Sequence, residues 1–259
     1  MKLKMVIRPV LFCLLCAASL ALVSGLIKDI PTKWNQHLLL IITICIVVCL
    51  TLLFGKWEKY TSKDIGIKLS KTSIKMIITG FGIGLLMTLL QPVILTLFGH
   101  YKLSFRLTSS LSPIFFYFSL YTLVALREEL AFRAYPLFSL NYSYGRFISQ
   151  FIIFIIFSLE HVAGGMTWFQ AFLGAGTGAI LFGLAALKAQ NISLSIGLHT
   201  AWNFGQWFLG FKNEEGIGHS IIDHGYENYI ERNAWISYLI IMIIAIAAFY
   251  FYKPKHALN

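Results

Sequence analysis

Arg127-Glu128-Glu129-Leu130-Ala131-Phe132-Arg133 sets four charged side chains within seven residues of an otherwise apolar region. Residues 113–126 upstream carry no charge, and beyond Pro136 another oily stretch begins. Near the centre of a bilayer-crossing helix, each such charge costs about 2.5–3.5 kcal/mol on the insertion scale. Charges at that cost persist where they have partners or a task.

The surrounding chain is membrane-like. Its 259 residues are 58% hydrophobic and 12% charged, against about 25% charged in a soluble domain. The expected fold is all-α, a polytopic membrane helix bundle forming a single integral domain over 1–259. Alternating ten-residue strands, the mark of a membrane β-barrel, are absent from the sequence. The net charge of +10 is explained by basic residues flanking membrane spans. The expected partners are therefore the lipid bilayer and a membrane-associated substrate, with no nucleic acid. Cys13, Cys16, Cys45 and Cys49 all lie in apolar runs. They read as small packing residues, not as a redox or metal motif.

Apolar runs at about 9–27, 38–54, 76–98, 113–137, 147–164, 167–187, 192–209 and 234–252 give about eight transmembrane helices. Lys2, Lys4 and Arg8 before the first run resemble a signal peptide, but the run is long for one, and a retained helix is expected. Six lysines between Lys56 and Lys75 form a basic loop with room for a short amphipathic helix. Gly80, Gly82 and Gly84 in the third run, and Gly174, Gly176 and Gly178 in the sixth, permit close helix approach. With both termini on the cytoplasmic side, 15 Lys and Arg residues fall inside and six outside, as the positive-inside rule asks. No transporter-type repeat is visible.

Three polar groups interrupt the oil: Glu128, Glu129 and Arg133; His161 with Glu160 beside it; and His199 with Asn203. Glu129 and Arg133 share a helix face as an i,i+4 ion pair. Glu128 lies about 100° round the helix and is left without that partner. His199 and Asn203 share a face at the same spacing. Counted from the inner ends of their spans, Glu128, His161, His199 and Asn203 lie roughly 12–21 Å deep at 1.5 Å per residue, near the midplane of a core about 30 Å thick. One cavity can therefore hold them all. A buried carboxylate suits general-base chemistry, so Glu128 with His161 can activate water, while His199 and Asn203 can donate to an oxyanion. The same residues leave open a metal site of Glu128, His161 and His199, although no H-E-x-x-H sequence is present. Each residue alone also has a plain structural account as helix-to-helix glue. Glu160 is read as an interface residue, and Arg127 has no assigned partner.

At these residues the chain resembles the CAAX prenyl protease and bacteriocin-processing family of intramembrane proteases, also called the Abi family, and within it the lysostaphin-resistance-like members. The resemblance covers about residues 113–209 and rests on Glu128-Glu129-x-x-x-Arg133, Phe157-x-x-x-His161 and His199-x-x-x-Asn203 in that order. It implies a catalytic core with Glu128 and His161 as water activators, His199 and Asn203 on the oxyanion side, and Glu129 with Arg133 as a supporting pair. It leaves open whether a divalent metal such as zinc takes part, with glutamate-dependent, metal-free catalysis as the expectation. Ala134 stands where many members have Gly, and Glu160 is an additional acid beside the histidine. The expected function is hydrolysis of a peptide bond in a membrane-embedded peptide or protein, in a bacterial cytoplasmic membrane, for peptide processing or bacteriocin self-immunity. The alternatives are a non-catalytic scaffold of the same fold that gives immunity or regulates a sensor kinase, and a proton-coupled transporter.

Overall fold

The computed structural model describes residues 2–106, 110–212 and 216–252. Lys253 and Lys255, which entered the count of Lys and Arg, lie outside the described residues. The chain forms an all-α bundle of α1 (Lys2–Ile27), α2 (Asn35–Trp57), α3 (Lys71–Leu97), α4 (Ser112–Glu128), α5 (Tyr135–Ala163), α6 (Gly176–Ala189), α7 (Ser193–Phe208) and α8 (Glu227–Phe251). A π-helical turn, Glu129–Arg133, follows α4, and a second, Gln170–Ala175, leads into α6. Among the described residues six helical stretches are long and apolar enough to cross a membrane, one of them the broken run Ser112–Ala163; α7, at 16 residues, is not among them. The protein is an integral membrane protein. Large apolar side chains such as Leu22, Leu53, Ile78 and Leu86 face outward, as a lipid-facing surface requires.

Loop contacts sort the helix ends into two sets. At one end Arg8 pairs with Glu58 at 3.2 Å, and the Tyr142 hydroxyl donates to the Asp64 carbonyl. At the same end the Asn191 amide donates to Lys68, and Lys188 donates to the last carbonyls of α8. At the other end Trp34 packs on Phe116 and Phe169 on Trp235. There too the α3–α4 and α7–α8 connections pair as antiparallel strands β1 (Tyr101–Phe105) and β2 (Gly218–Ile222). This alternation is the one expected from the eight apolar runs. The hairpin-like pair itself has no apolar run to announce it.

Several boundaries differ from the hydropathy reading. α3 and α8 begin five or more residues before their apolar runs, because backbone hydrogen bonding continues where the chain leaves the oil. The fourth run does not extend to 137. Its helix ends at Arg133, and Ala134 (ψ −110°) starts α5 with Pro136 in its first turn, where the missing N–H costs nothing. α5 is kinked at Gly145, whose φ of 77° suits only glycine. The basic loop holds turns between α2 and α3, with no amphipathic helix.

Two packing seams hold the site's helices. Gly80 and Gly84 of α3 and Gly197 of α7 lie where an added Cβ would strike the partner's backbone, while Gly82 faces open space. Of the second glycine set, Gly176 lies tight against Phe154 and Ser158. On the far side, α1 is built into the bundle: Phe12 packs on Phe54 and Tyr135, and the Cys13 thiol donates to the Ala131 carbonyl at 3.8 Å. Cys13 and Cys16 are buried packing residues as read, but Cys45 and Cys49 lie on the exposed face of α2.

Candidate active site

A cavity of about 780 Å³ opens between α4, α5, α6, α7 and α8. Glu128, His161, His199 and Asn203 all line it, so four side chains from three helices, placed at similar depth by counting residues, share one space.

His199 is the most tightly held of them. Its Nδ1 lies 3.0 Å from Glu129 Oε1 and its Nε2 3.7 Å from Glu128 Oε2. Its ring stacks on Phe182, with centroids 4.3 Å apart and planes 17° from parallel. With Glu129 ionised and able only to accept, Nδ1 carries the proton and Nε2 is the nitrogen turned toward Glu128 and the cavity. Both carboxylates therefore reach the same imidazole: Glu128 is left without Arg133 and lines the cavity, as read, while Glu129, read as the partner of Arg133 alone, holds His199 as well. Here α4 ends at Glu128 and the wider π turn begins at Glu129, marked by the Ala134 amide bonding the Glu129 carbonyl at 3.0 Å.

Glu129 and Arg133 form the expected ion pair, 3.4 Å apart and fully buried. None of the guanidinium nitrogens makes an aligned hydrogen bond. Instead the cation lies 4.4 Å from the Phe157 ring and 5.8 Å from those of Phe132 and Phe182. Ring faces and one carboxylate thus replace water around it. Glu129 serves two partners, Arg133 and His199, and so does more than close a clamp.

His161 Nδ1 lies 2.9 Å from the Phe157 carbonyl one turn back. A carbonyl only accepts, so Nδ1 carries the proton and Nε2 keeps its lone pair. Asn203 Oδ1 accepts from Lys212 Nζ at 3.3 Å, while that ammonium lies 4.7 Å from the Tyr121 ring. The Asn203 oxygen being so engaged, its NH₂ is the group left to donate.

Residues that the sequence reading passed over complete the lining. Tyr121 lies seven residues before Glu128, two turns up the same face, a spacing that could have flagged it. Gln91 and Gln206 bond each other at 2.7 Å across α3 and α7 and also line the cavity. Gln206 is one turn beyond Asn203. Lys212 and Phe182 carry no sequence signal of comparable strength. Arg127 and Glu160, read as unpartnered and as an interface residue, are in fact paired: Arg127 Nη2 lies 2.7 Å from Glu160 Oε1.

Among the described residues no three His, Cys, Asp or Glu side chains converge closely enough to hold a metal ion. Glu128, His161 and His199 share the cavity without meeting as a three-residue cluster.

Residues 110–205 match the family model described as Rce1-like, type II CAAX prenyl endopeptidase Rce1-like. No curated protein matches the chain.

Proposed function

Because the chain belongs to the CAAX protease family, a family of intramembrane endopeptidases, we propose that it cleaves a peptide bond of a membrane-embedded peptide or protein with water activated by Glu128 and His161. The observation that carries this reading is the meeting of Glu128, His161, His199 and Asn203 in one cavity. Glu128 takes a proton from water as the oxygen attacks the scissile carbonyl carbon, and the His161 Nε2 lone pair accepts a hydrogen bond that orients the same water. The carbonyl oxygen gains the negative charge. Asn203 NH₂ donates to it, and His199, on the same face of α7, flanks it. Such a donor contributes about 10²–10³-fold. The proton on Glu128 then passes to the leaving amine.

The distribution of Lys and Arg supports cytoplasmic termini. Short loops and a Lys-, Ile- and Phe-rich composition support a bacterial cytoplasmic membrane, with peptide processing or bacteriocin self-immunity as the role. The test is Glu128→Gln, His161→Ala and His199→Ala in the full-length protein in nanodiscs. The probes are a quenched peptide ending in farnesyl-cysteine plus three residues and its unprenylated counterpart. Cleavage by wild type and its loss in all three variants, at normal membrane abundance, is the expected result. Full activity in Glu128→Gln refutes the mechanism, and a cellular phenotype that survives all three substitutions favours a scaffold.

A further inference from the structure

Arg127 and Glu160 take no part in the mechanism above, yet each immediately precedes one of its water activators, Glu128 and His161. We propose that they form a positioning pair that fixes the separation between Glu128 and His161, an inference that rests on those two residues activating the water. Arg127 is 3% exposed and the Glu160 side chain 13%, so this bridge is not a solvated surface contact of little worth. The same Arg127 nitrogen that lies 2.7 Å from Glu160 lies 3.4 Å from the Cys16 carbonyl of α1. The guanidinium is thereby held from two sides.

The bridge matters because of where the helices pack. α4 lies chiefly against α7 and α2, and α5 against α6 and α1. The link from the end of α4 to the His161 turn therefore runs through side chains: Phe132 and Arg133 against Phe157, and the Arg127–Glu160 bridge, which ties the residues next to Glu128 and His161. Among the described residues, the hydrogen bond of the His161 ring stays within its own helix, to the Phe157 carbonyl. A water held between Glu128 and His161 needs both within hydrogen-bond reach at once, and misplacement by about 1 Å costs about 10²-fold in rate. The pair also cancels its own charge, so neither an extra carboxylate beside His161 nor an extra cation beside Glu128 competes for the site.

The full-length protein in nanodiscs, assayed with the quenched farnesyl-cysteine peptide, provides the test. Glu160→Ala removes the bridge and is expected to lower kcat by about 10–10²-fold with KM unchanged. Glu160→Gln keeps an acceptor oxygen and is expected to retain most of the rate. Arg127→Met is expected to match Glu160→Ala, and the double variant Arg127→Met/Glu160→Ala to be no worse than the poorer single. Should Glu160→Ala fail to accumulate, the double variant, which buries no unpaired charge, carries the same comparison with wild type. Wild-type kcat in the variants lacking the bridge, multiplicative losses in the double, or equal rates for the Ala and Gln variants would overturn the proposal. Glu128→Gln separates the two claims. If it is active, the water-activation reading fails; if it is inactive while the bridge variants are fully active, only the pair fails.

Discussion

Replacing Gly84 by Ala tests whether the α3–α7 seam sets the catalytic geometry from outside the cavity. A Cβ at position 84 would lie 2.5 Å from the Leu198 carbonyl oxygen and 2.9 Å from the Ala201 Cβ. Ordinary contact begins at 3.4 Å, so the helices must part by about 0.9 Å. Neither obstacle is the tip of a flexible side chain: one is backbone, and the other is the methyl fixed to it. Leu198 adjoins His199, whose Nδ1 is held 3.0 Å from Glu129. A displacement of this size takes His199 out of that alignment, since hydrogen bonds of this kind weaken steeply beyond about 3.2 Å. The expected loss of activity is about 10²-fold. Overpacking costs about 1–3 kcal/mol of stability, of which the lower backbone entropy of Ala returns about 0.5–1 kcal/mol. Gly82→Ala is the control, because nothing lies within 4 Å of its Cβ. It should keep full activity and gain slightly in stability. Peptide cleavage and thermal unfolding followed by tryptophan fluorescence, both in nanodiscs, read the two effects. Wild-type activity in Gly84→Ala, or equal losses in Gly82→Ala and Gly84→Ala, would show that the seam does not position His199.

Two further substitutions address how the site is held. Glu129→Gln keeps the shape of the side chain but removes the charge that fixes the His199 proton on Nδ1; kcat should fall by about 10²-fold or more, with abundance retained, and an unchanged kcat would reduce Glu129 to the Arg133 clamp. Lys212→Gln removes the ammonium that holds the Asn203 oxygen; kcat should fall by a smaller factor than in Asn203→Ala, with KM little changed, and additive losses in Lys212→Gln/Asn203→Ala would show that Lys212 does not act through Asn203.

What the sequence made legible is what membrane physics makes expensive. Glu128, His161, His199 and Asn203 are conspicuous because each interrupts an apolar run, and their common depth follows from a fixed rise per residue and a fixed core thickness. Gly80 and Gly84 were legible for a related reason, since small residues are what let two helix backbones touch in lipid. Gly82 shows the limit, because spacing alone does not say which glycine faces the partner. Arg127 and Glu160 were illegible as a pair because they are 33 residues apart and no periodicity connects them. Lys212 was hidden differently: it sits beyond the end of α7, where a lysine reads as a positive charge flanking a span. The β1–β2 pair escaped because five-residue strands between spans carry no hydropathy signal.

The largest addition to the sequence reading lies at one turn. An α-helix through Glu128 and Glu129 turns successive side chains about 100° apart. In the structure the two carboxylates meet different nitrogens of one imidazole, Glu129 at Nδ1 and Glu128 at Nε2, and a π turn begins at Glu129. π turns are uncommon and concentrate at functional sites. Two of them, Glu129–Arg133 and Gln170–Ala175, lie among the described residues, and each borders the cavity: the first begins beside Glu128, and the second contributes Gln170, Gly174 and Ala175 to the wall. A π turn widens the helix without breaking its hydrogen-bonded run, so a transmembrane segment can redirect side chains while exposing little backbone to lipid, where unsatisfied groups are costly. Glu129 holds Arg133 and His199 together, and Glu128, one residue earlier, is the carboxylate that lines the cavity.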